Sequence, residues 1–162
     1  MLALPFRESF DLIVAANDPL SHLVEGSDRD RALGAVARHL APGGQFVLDA
    51  LWLAPSEEAK VARHGGRVAQ RTTTMGGRRL RVLERWERMD DARHCCHAHY
   101  EYRCGGQQPV VADFDAHDWS ADELFTRLNR AGLVVTNIWG SYQGERWDPS
   151  RSSQLIVAAA LV

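Results

Sequence analysis

Three groups of side chains in this chain could do chemistry. Asn17, Asp18 and His22 follow a short apolar run, Phe10-Asp-Leu-Ile-Val-Ala-Ala16. A carboxylate and an imidazole in one loop could take a proton from a nucleophile, and imidazole ordinarily titrates near neutral pH. Their place matters, because ligands of open α/β sheets bind just past the carboxyl ends of parallel strands. The plainer reading is that Asn-Asp-Pro is only a turn and His22 packs a helix end. Asp49 closes a second apolar run, and Tyr142, Gln143 and Trp147 lie in the Gly140–Ser153 loop. Asp49 either lines the same cleft or caps the next turn. The loop either touches a ligand or is a solvated loop with an aromatic anchor.

The third group is His94-Cys95-Cys96-His97-Ala98-His99. On a strand, Cys95, His97 and His99 share one face and could supply three metal ligands. No Cys-x-x-Cys pair accompanies them, and Glu101 is the one nearby acid, so a polar strand face is the preferred reading and no metal is assigned. Arginines crowd the middle of the chain, among them Arg78, Arg79, Arg81, Arg85 and Arg88, with Glu84 and Glu87 interleaved. An acidic substrate or RNA could use them. Cross-strand ion pairs on a solvated face explain them more simply.

The elements that must position these groups are readable from period and punctuation. Phe10–Ala16 and Gln45–Leu51 are continuous apolar runs, which suggests parallel strands covered on both faces. Between them Leu33, Val36, Ala37 and Leu40 recur at helical spacing after Ser27, a candidate N-cap, and Pro42-Gly43-Gly44 ends the helix. Strand, helix, strand with short joints implies a βαβ unit. From residue 55 to 75 the text is polar and helix-tolerant. From 76 to 117 the period is two: Leu80, Val82 and Trp86, then Cys96, Ala98, Tyr100 and Tyr102, then Val110, Ala112 and Phe114, a three-stranded antiparallel meander. Ser120-Ala-Asp-Glu123 reads as a capping box opening a last helix. Leu133–Trp139 and Gln154–Leu161 read as closing strands, antiparallel because the loop between them has no room for a helix.

The chain has 162 residues with 19 basic and 21 acidic side chains, net −2, and 45% hydrophobic residues. That fits one globular domain, with 1–54 and 118–162 as its α/β core and 76–117 as an insert. It also argues against a strongly basic nucleic-acid binder. No apolar run reaches the roughly 18 residues of a membrane span, and no signal segment is visible. Three cysteines give no disulfide framework, and a cytoplasmic setting is expected.

The order of elements resembles the C-terminal half of a class I S-adenosylmethionine-dependent methyltransferase of the small-molecule type. Phe10–Leu23 resembles that family's fourth strand and following loop. Val36–Asp49 with its Leu-Ala-Pro-Gly-Gly turn resembles the next helix and fifth strand. Trp119–Leu124, Ala131–Leu133, Gly140–Gly144 and Ser153–Ala160 resemble the last helix, sixth strand, its loop and the seventh strand. The resemblance implies an incomplete Rossmann-like α/β sheet of strands equivalent to the fourth, fifth, seventh and sixth, with an antiparallel insert. It implies S-adenosylmethionine as cofactor, with backbone at Ala15, Ala16 and Asn17 against its methionine part. It implies His22, then Asp18, as the base, and Asp49, Tyr142, Gln143 and Trp147 near a small-molecule substrate.

The family's Gly-rich turn after its first strand has no counterpart here. None of the Gly-Gly pairs at 43–44, 65–66, 76–77 and 105–106 follows a buried strand that opens a helix. The resemblance therefore implies a cofactor pocket incomplete as written. Leu12–Ala15 would become an unprotected sheet edge that self-associates or takes a partner supplying the first half. Two rival readings remain: a noncatalytic methyltransferase-like partner subunit, and a metal-binding β protein.

Overall fold

A computed structural model of the chain describes residues 4–50, 52, 67–90 and 94–162. It divides into two compact units, Met1–Pro55 with His117–Val162, and Ser56–Ala116. The sequence pattern predicts one domain with an insert over 76–117.

The first unit holds a four-stranded sheet in the order β1-β2-β8-β7. These are β1 (Phe10–Ala15), β2 (Leu40–Ala50), β7 (Leu133–Trp139) and β8 (Leu155–Leu161), with α1 (Gly26–His39) between β1 and β2 and α2 (Ala121–Arg130) before β7. β1 and β2 are parallel, and β8 runs antiparallel to both β2 and β7. This is the strand order that the family resemblance implies.

Alternation along the strands divides the sheet into two unlike faces. Phe46, Leu48, Leu155, Val157, Ala159 and Leu133 form one face and join Leu33, Leu124, Leu128 and Trp119 in a single core. Ile13 and Ala15 pack against its margin. On the opposite face Leu12 and Val14 are 57% and 56% exposed, and Val134 is also exposed. The expectation that β1 is covered on both faces is therefore wrong: a continuous apolar run was read as two-sided burial, and only its Ile13–Ala15 side is packed. β1 also stands at the edge of the sheet among the described residues, paired with β2 alone.

Two local readings shift. The α1 N-cap is Glu25, not Ser27, and no side chain caps it, although Asp28 still lies in the first turn. Nor does the Pro-Gly-Gly segment end the helix. The chain is already extended at Leu40, and the glycines lie within β2. Gly44 is buried where β1 passes closest. An added Cβ would sit 2.9 Å from the carbonyl oxygens of Ala41 and Phe10. The register of β1 on β2 shifts at this point, between Phe10 and Leu12.

The second unit is an antiparallel sheet in the order β3-β4-β5-β6: β3 (Arg67–Met75), β4 (Arg78–Asp90), β5 (Cys95–Cys104) and β6 (Val110–His117), whose last residue falls in the first unit. The meander thus has four strands rather than three. The extra one, β3, was hidden by its polar sequence; it is an edge strand held by ladder bonds to β4 rather than by burial. Residues 55–66 of the stretch read as helix-tolerant lie outside the described residues. Gly76 and Gly77 both have positive φ, 57° and 74°, the requirement of a two-residue hairpin whose twist matches its strands. On one face Trp86, Tyr100 and Phe114 make edge and stacked ring contacts at 5.7–6.2 Å.

Gly44→Ala drives a methyl group into two backbone carbonyls that cannot retreat without parting β1 from β2. Thermal or urea unfolding of this variant is expected to show a loss of about 1–3 kcal/mol. Gly43→Ala has no such collision, and its cost is limited to a positive φ of 79°.

Candidate active-site end of the sheet

Because β1 and β2 are parallel, with Ala15 opposite Leu48, their carboxyl ends open on the same edge. The turn after β1 is unusual there. Asn17 and Asp18 both have positive φ, 64° and 53°, a conformation that Asn and Asp tolerate better than other non-glycine residues. Two successive N–H groups then converge, forming a nest for an anion. The anion is the Asp49 carboxylate. Asn17 N–H donates to Oδ2 at 3.0 Å and Asp18 N–H donates to Oδ1. The Tyr142 hydroxyl donates to Oδ2 as well. Asp49 is 8% exposed, and these three donors offset the cost of burying its charge. The hydrogen bond to Asp49, with some burial and the nearby charges of Asp49 and Asp18, pushes the Tyr142 phenol up to about 12.

Tyr142 reaches Asp49 because the loop between β7 and β8 is fixed. Gly140 N–H donates to the Glu145 carbonyl at 2.8 Å, and Gly144 N–H donates to Ser141 at 3.1 Å. Gly140 sits against Ser152 so closely that no side chain fits. Asp148 gathers the far end of the loop. It accepts from the Ser150 hydroxyl and N–H and from Arg151, which lowers its carboxyl to about 2. Trp147 packs edge-to-face on Trp52 with ring centroids 5.4 Å apart and touches the core. That contact is the aromatic anchor of the loop. Gln143 is exposed beside Tyr142.

A second network holds the other end of the Asp18–Glu25 segment, and nothing in the sequence reading singled it out. Its centre is Glu123. Ser120 Oγ accepts from Glu123 N–H at 3.1 Å, the forward half of a capping box. The Glu123 carboxylate serves another purpose. It accepts from His117 Nε2 at 2.7 Å, from Arg127 Nε at 2.7 Å and from Arg29 at 3.4 Å. Arg29 and His117 are buried. Arg29 donates to the Leu23 and Val24 carbonyls at 2.7 Å, and its guanidinium lies over the Trp119 ring. His117 N–H donates to the Ser21 carbonyl at 2.7 Å. Burial raises the Glu123 carboxyl, but hydrogen bonds from Arg127 and His117 outweigh it and hold it below the ordinary range. A capping-box glutamate four residues before Arg127 was the only visible signal, and its distant partners were invisible.

The structure thus brings Asn17, Asp18, Asp49 and Tyr142 together at one point. Ala15 and Ala16 lead into it, and His22 is exposed in the same loop. The Cys/His run of β5 lies in the other unit. There His97 Nδ1 bonds Asp115 at 2.8 Å, and His99 Nδ1 bonds Asp113 at 2.6 Å. Cys95 and Cys96 are both buried, so Cys95 does not share an open face with the histidines. No group of three His, Cys, Asp or Glu among the described residues could hold a metal ion.

Residues 1–48 match the family described as a methyltransferase domain. The chain is 27% identical over 155 residues to the cypemycin N-terminal methyltransferase of a Streptomyces species, covering 95% of this chain and 59% of that protein. It superposes on an S-adenosylmethionine-dependent methyltransferase from Clostridium acetobutylicum with a TM-score of 0.78 at 15% identity, over 99% of this chain and 61% of that one. A SAM-bound amino pentose methyltransferase from Micromonospora echinaspora gives 0.74 at 17% identity, over 99% and 62%. The described residues have the fold of the C-terminal part of class I S-adenosylmethionine-dependent methyltransferases. It spans about three-fifths of the length of these relatives.

Class I methyltransferases of this kind use S-adenosylmethionine, and one of these neighbours holds it. A nucleoside cradle needs backbone that a ligand can approach closely, which glycine allows. Here the turn after β1 is Ala16-Asn17-Asp18-Pro19, and its two converging N–H groups are taken by Asp49. The described residues therefore do not by themselves form a glycine-lined nucleoside cradle.

Two measurements check these networks. Tyrosine absorbance in alkali is expected to show a titration near pH 12 that is absent from Tyr142→Phe. It should move back toward 10 in Asp49→Asn, where the acceptor charge is gone. The associated stabilisation is complete below the unfolded value of 10 and is lost as pH rises through 12. Glu123→Ala strands buried Arg29 and His117 and is expected to cost about 3 kcal/mol in urea unfolding. The Glu123 contribution is complete above about 4.5 and disappears as pH falls through its lowered folded value.

Proposed function

We propose that the chain forms the C-terminal part of an S-adenosylmethionine-dependent methyltransferase that methylates an amine nitrogen of a small molecule. The observation that carries this reading is the fixed turn at the carboxyl end of β1, where Asp49 holds Asn17 and Asp18 in place beside Tyr142. An amine acceptor agrees with the names of two relatives, one an N-terminal and the other an amino pentose methyltransferase.

Methyl transfer is an in-line displacement at a sulfonium, so the residues must orient the acceptor and remove its proton. In this reading Ala15, Ala16 and Asn17 bear on the methionine end of the cofactor, which supplies the methyl group when bound. Asp18 and His22 stand past the strand end as proton acceptors, His22 the more suitable because imidazole exchanges protons near neutral pH. Asp49 and Tyr142 set the shape of the acceptor side, with Gln143 beside Tyr142. Trp147 acts through its packing on Trp52, keeping the loop in place.

The open β1 edge supports a further part of the proposal. Leu12 and Val14 are exposed on a strand with unpaired backbone groups and no charge or proline of its own beyond Asp11. Burying two such side chains is worth roughly 1.5–3 kcal/mol each. We therefore expect additional polypeptide to continue the sheet beyond β1 and complete the cofactor site. It is supplied in the same longer protein or by a second chain. A noncatalytic role would leave this edge filled but the Asp18–His22 end without a reacting group.

Calorimetric titration of the 162-residue chain with S-adenosylmethionine tests the first point. Affinity weaker than about 100 μM, near −5.5 kcal/mol, is expected, and tighter binding would overturn the need for completion. Leu12→Lys with Val14→Lys tests the second. Sedimentation should show less self-association than the parent, since edge lysines oppose strand pairing. Unchanged association would remove β1 from the interface.

A further inference from the structure

We infer that the hairpin end of the second unit is a binding site for a phosphate dianion, carried as the free ion or as the phosphoryl group of a small ester. On β4, Arg79 and Arg81 project from the same face, and Arg81 stands directly opposite Arg103 on β5. These three arginines line one open cleft of about 450 Å³ together with the Gly105-Gly106-Gln107 turn.

Like charges directly opposite on an antiparallel pair are destabilising. Farther along this face carboxylates meet the histidines, His97 bonding Asp115 and His99 bonding Asp113. At the cleft itself Arg103 Nε donates to Glu101 at 2.7 Å. Arg79 and Arg81 have no ion-pair partner among the described residues. With Glu101 as the one carboxylate beside them, three guanidinium groups leave a net charge that a dianion matches.

The shape fits the same ligand. Guanidinium forks bind phosphate oxygens bidentately. Thr72 is opposite Arg81 and Thr74 opposite Arg79 on β3, so two hydroxyl donors stand on the same face. At Gly105 and Gly106 nothing lies within 4 Å of where a Cβ would be. The backbone there is open to close approach. The cleft is larger than one phosphate needs, which leaves room for the remainder of an ester.

The experiment titrates the full chain with inorganic phosphate, and separately with glycerol 3-phosphate, at pH 7.5 and constant ionic strength set with sodium chloride. Amide NMR shifts and melting temperature are the readouts. Saturable shifts at residues 79–81 and 103–107 are expected, with a rise in melting temperature that chloride does not reproduce. Tighter binding of the ester assigns the site to a small phosphorylated molecule, and tighter binding of inorganic phosphate assigns it to the free ion. Arg81→Gln should weaken binding about tenfold without lowering the melting temperature in chloride, because it relieves the repulsion from Arg103. Arg85→Gln, on the same face but outside the cleft, should bind as the parent does. No phosphate-specific shift in the parent, or an equal shift in Arg81→Gln, would overturn the assignment.

Discussion

A buried carboxylate can be kept in a protein only if donors surround it, and the carboxyl end of the parallel β1–β2 pair is organised around that requirement. Asp49 is the last polar residue of β2, and no cation meets it among its hydrogen-bond partners. Its donors are two main-chain N–H groups from the turn after β1 and a phenol from the loop after β7. One charge thus ties together three segments far apart in sequence. The left-handed conformation of Asn17 and Asp18 follows from the same demand. With Asn17 and Asp18 both at positive φ their N–H groups point to one anion, and the bonds to Asp49 offset that backbone strain.

The Asp18–Glu25 segment would still be loose at its far end if Asp49 acted alone. Glu123 supplies the second restraint through His117, Arg29 and Arg127. Arg29 and His117 hold the segment by its backbone: the Ser21, Leu23 and Val24 carbonyls each accept a bond from one of them. The side chains of Asp18 and His22 are therefore carried on a short loop clamped at both ends. For the proposed methyl transfer such fixing serves the alignment of acceptor and methyl group, on which the rate of an in-line displacement depends.

The rest of the molecule shows where these constraints stop. The inner face of the first sheet is a packed core, while on its other face Leu12, Val14 and Val134 are exposed, and β1 is an open edge among the described residues. That asymmetry is expected of a sheet whose fold relatives are longer. In the second unit the aromatic face is packed around Trp86, Tyr100 and Phe114. On the charged face His97 and His99 are bonded to Asp115 and Asp113 and Arg103 to Glu101, while Arg79 and Arg81 have no ion-pair partner among the described residues. Departures from an otherwise regular rule are informative about ligands and partners because they carry a cost that the isolated chain does not recover.

Period and punctuation in the sequence determined the βαβ start, the closing antiparallel strands, the two-faced meander and their order, and the order of elements was enough to suggest the family. Asn17, Asp18, Asp49 and Tyr142 could be picked out singly as polar residues beside strand ends. Their convergence could not, since the bond from Tyr142 to Asp49 spans 93 positions and depends on how β8 returns beside β2. For the same reason the Glu123 network was invisible, and β3 was missed because ladder bonds rather than apolar alternation hold an edge strand. Burial of β1 was misjudged because an apolar run records which side chains could be covered, whereas the cover itself comes from neighbouring elements. Local pattern determines elements, because backbone and side-chain preferences act over a few residues. The site was decided by the tertiary structure alone, because a buried charge is satisfied by whichever donors the fold brings to it.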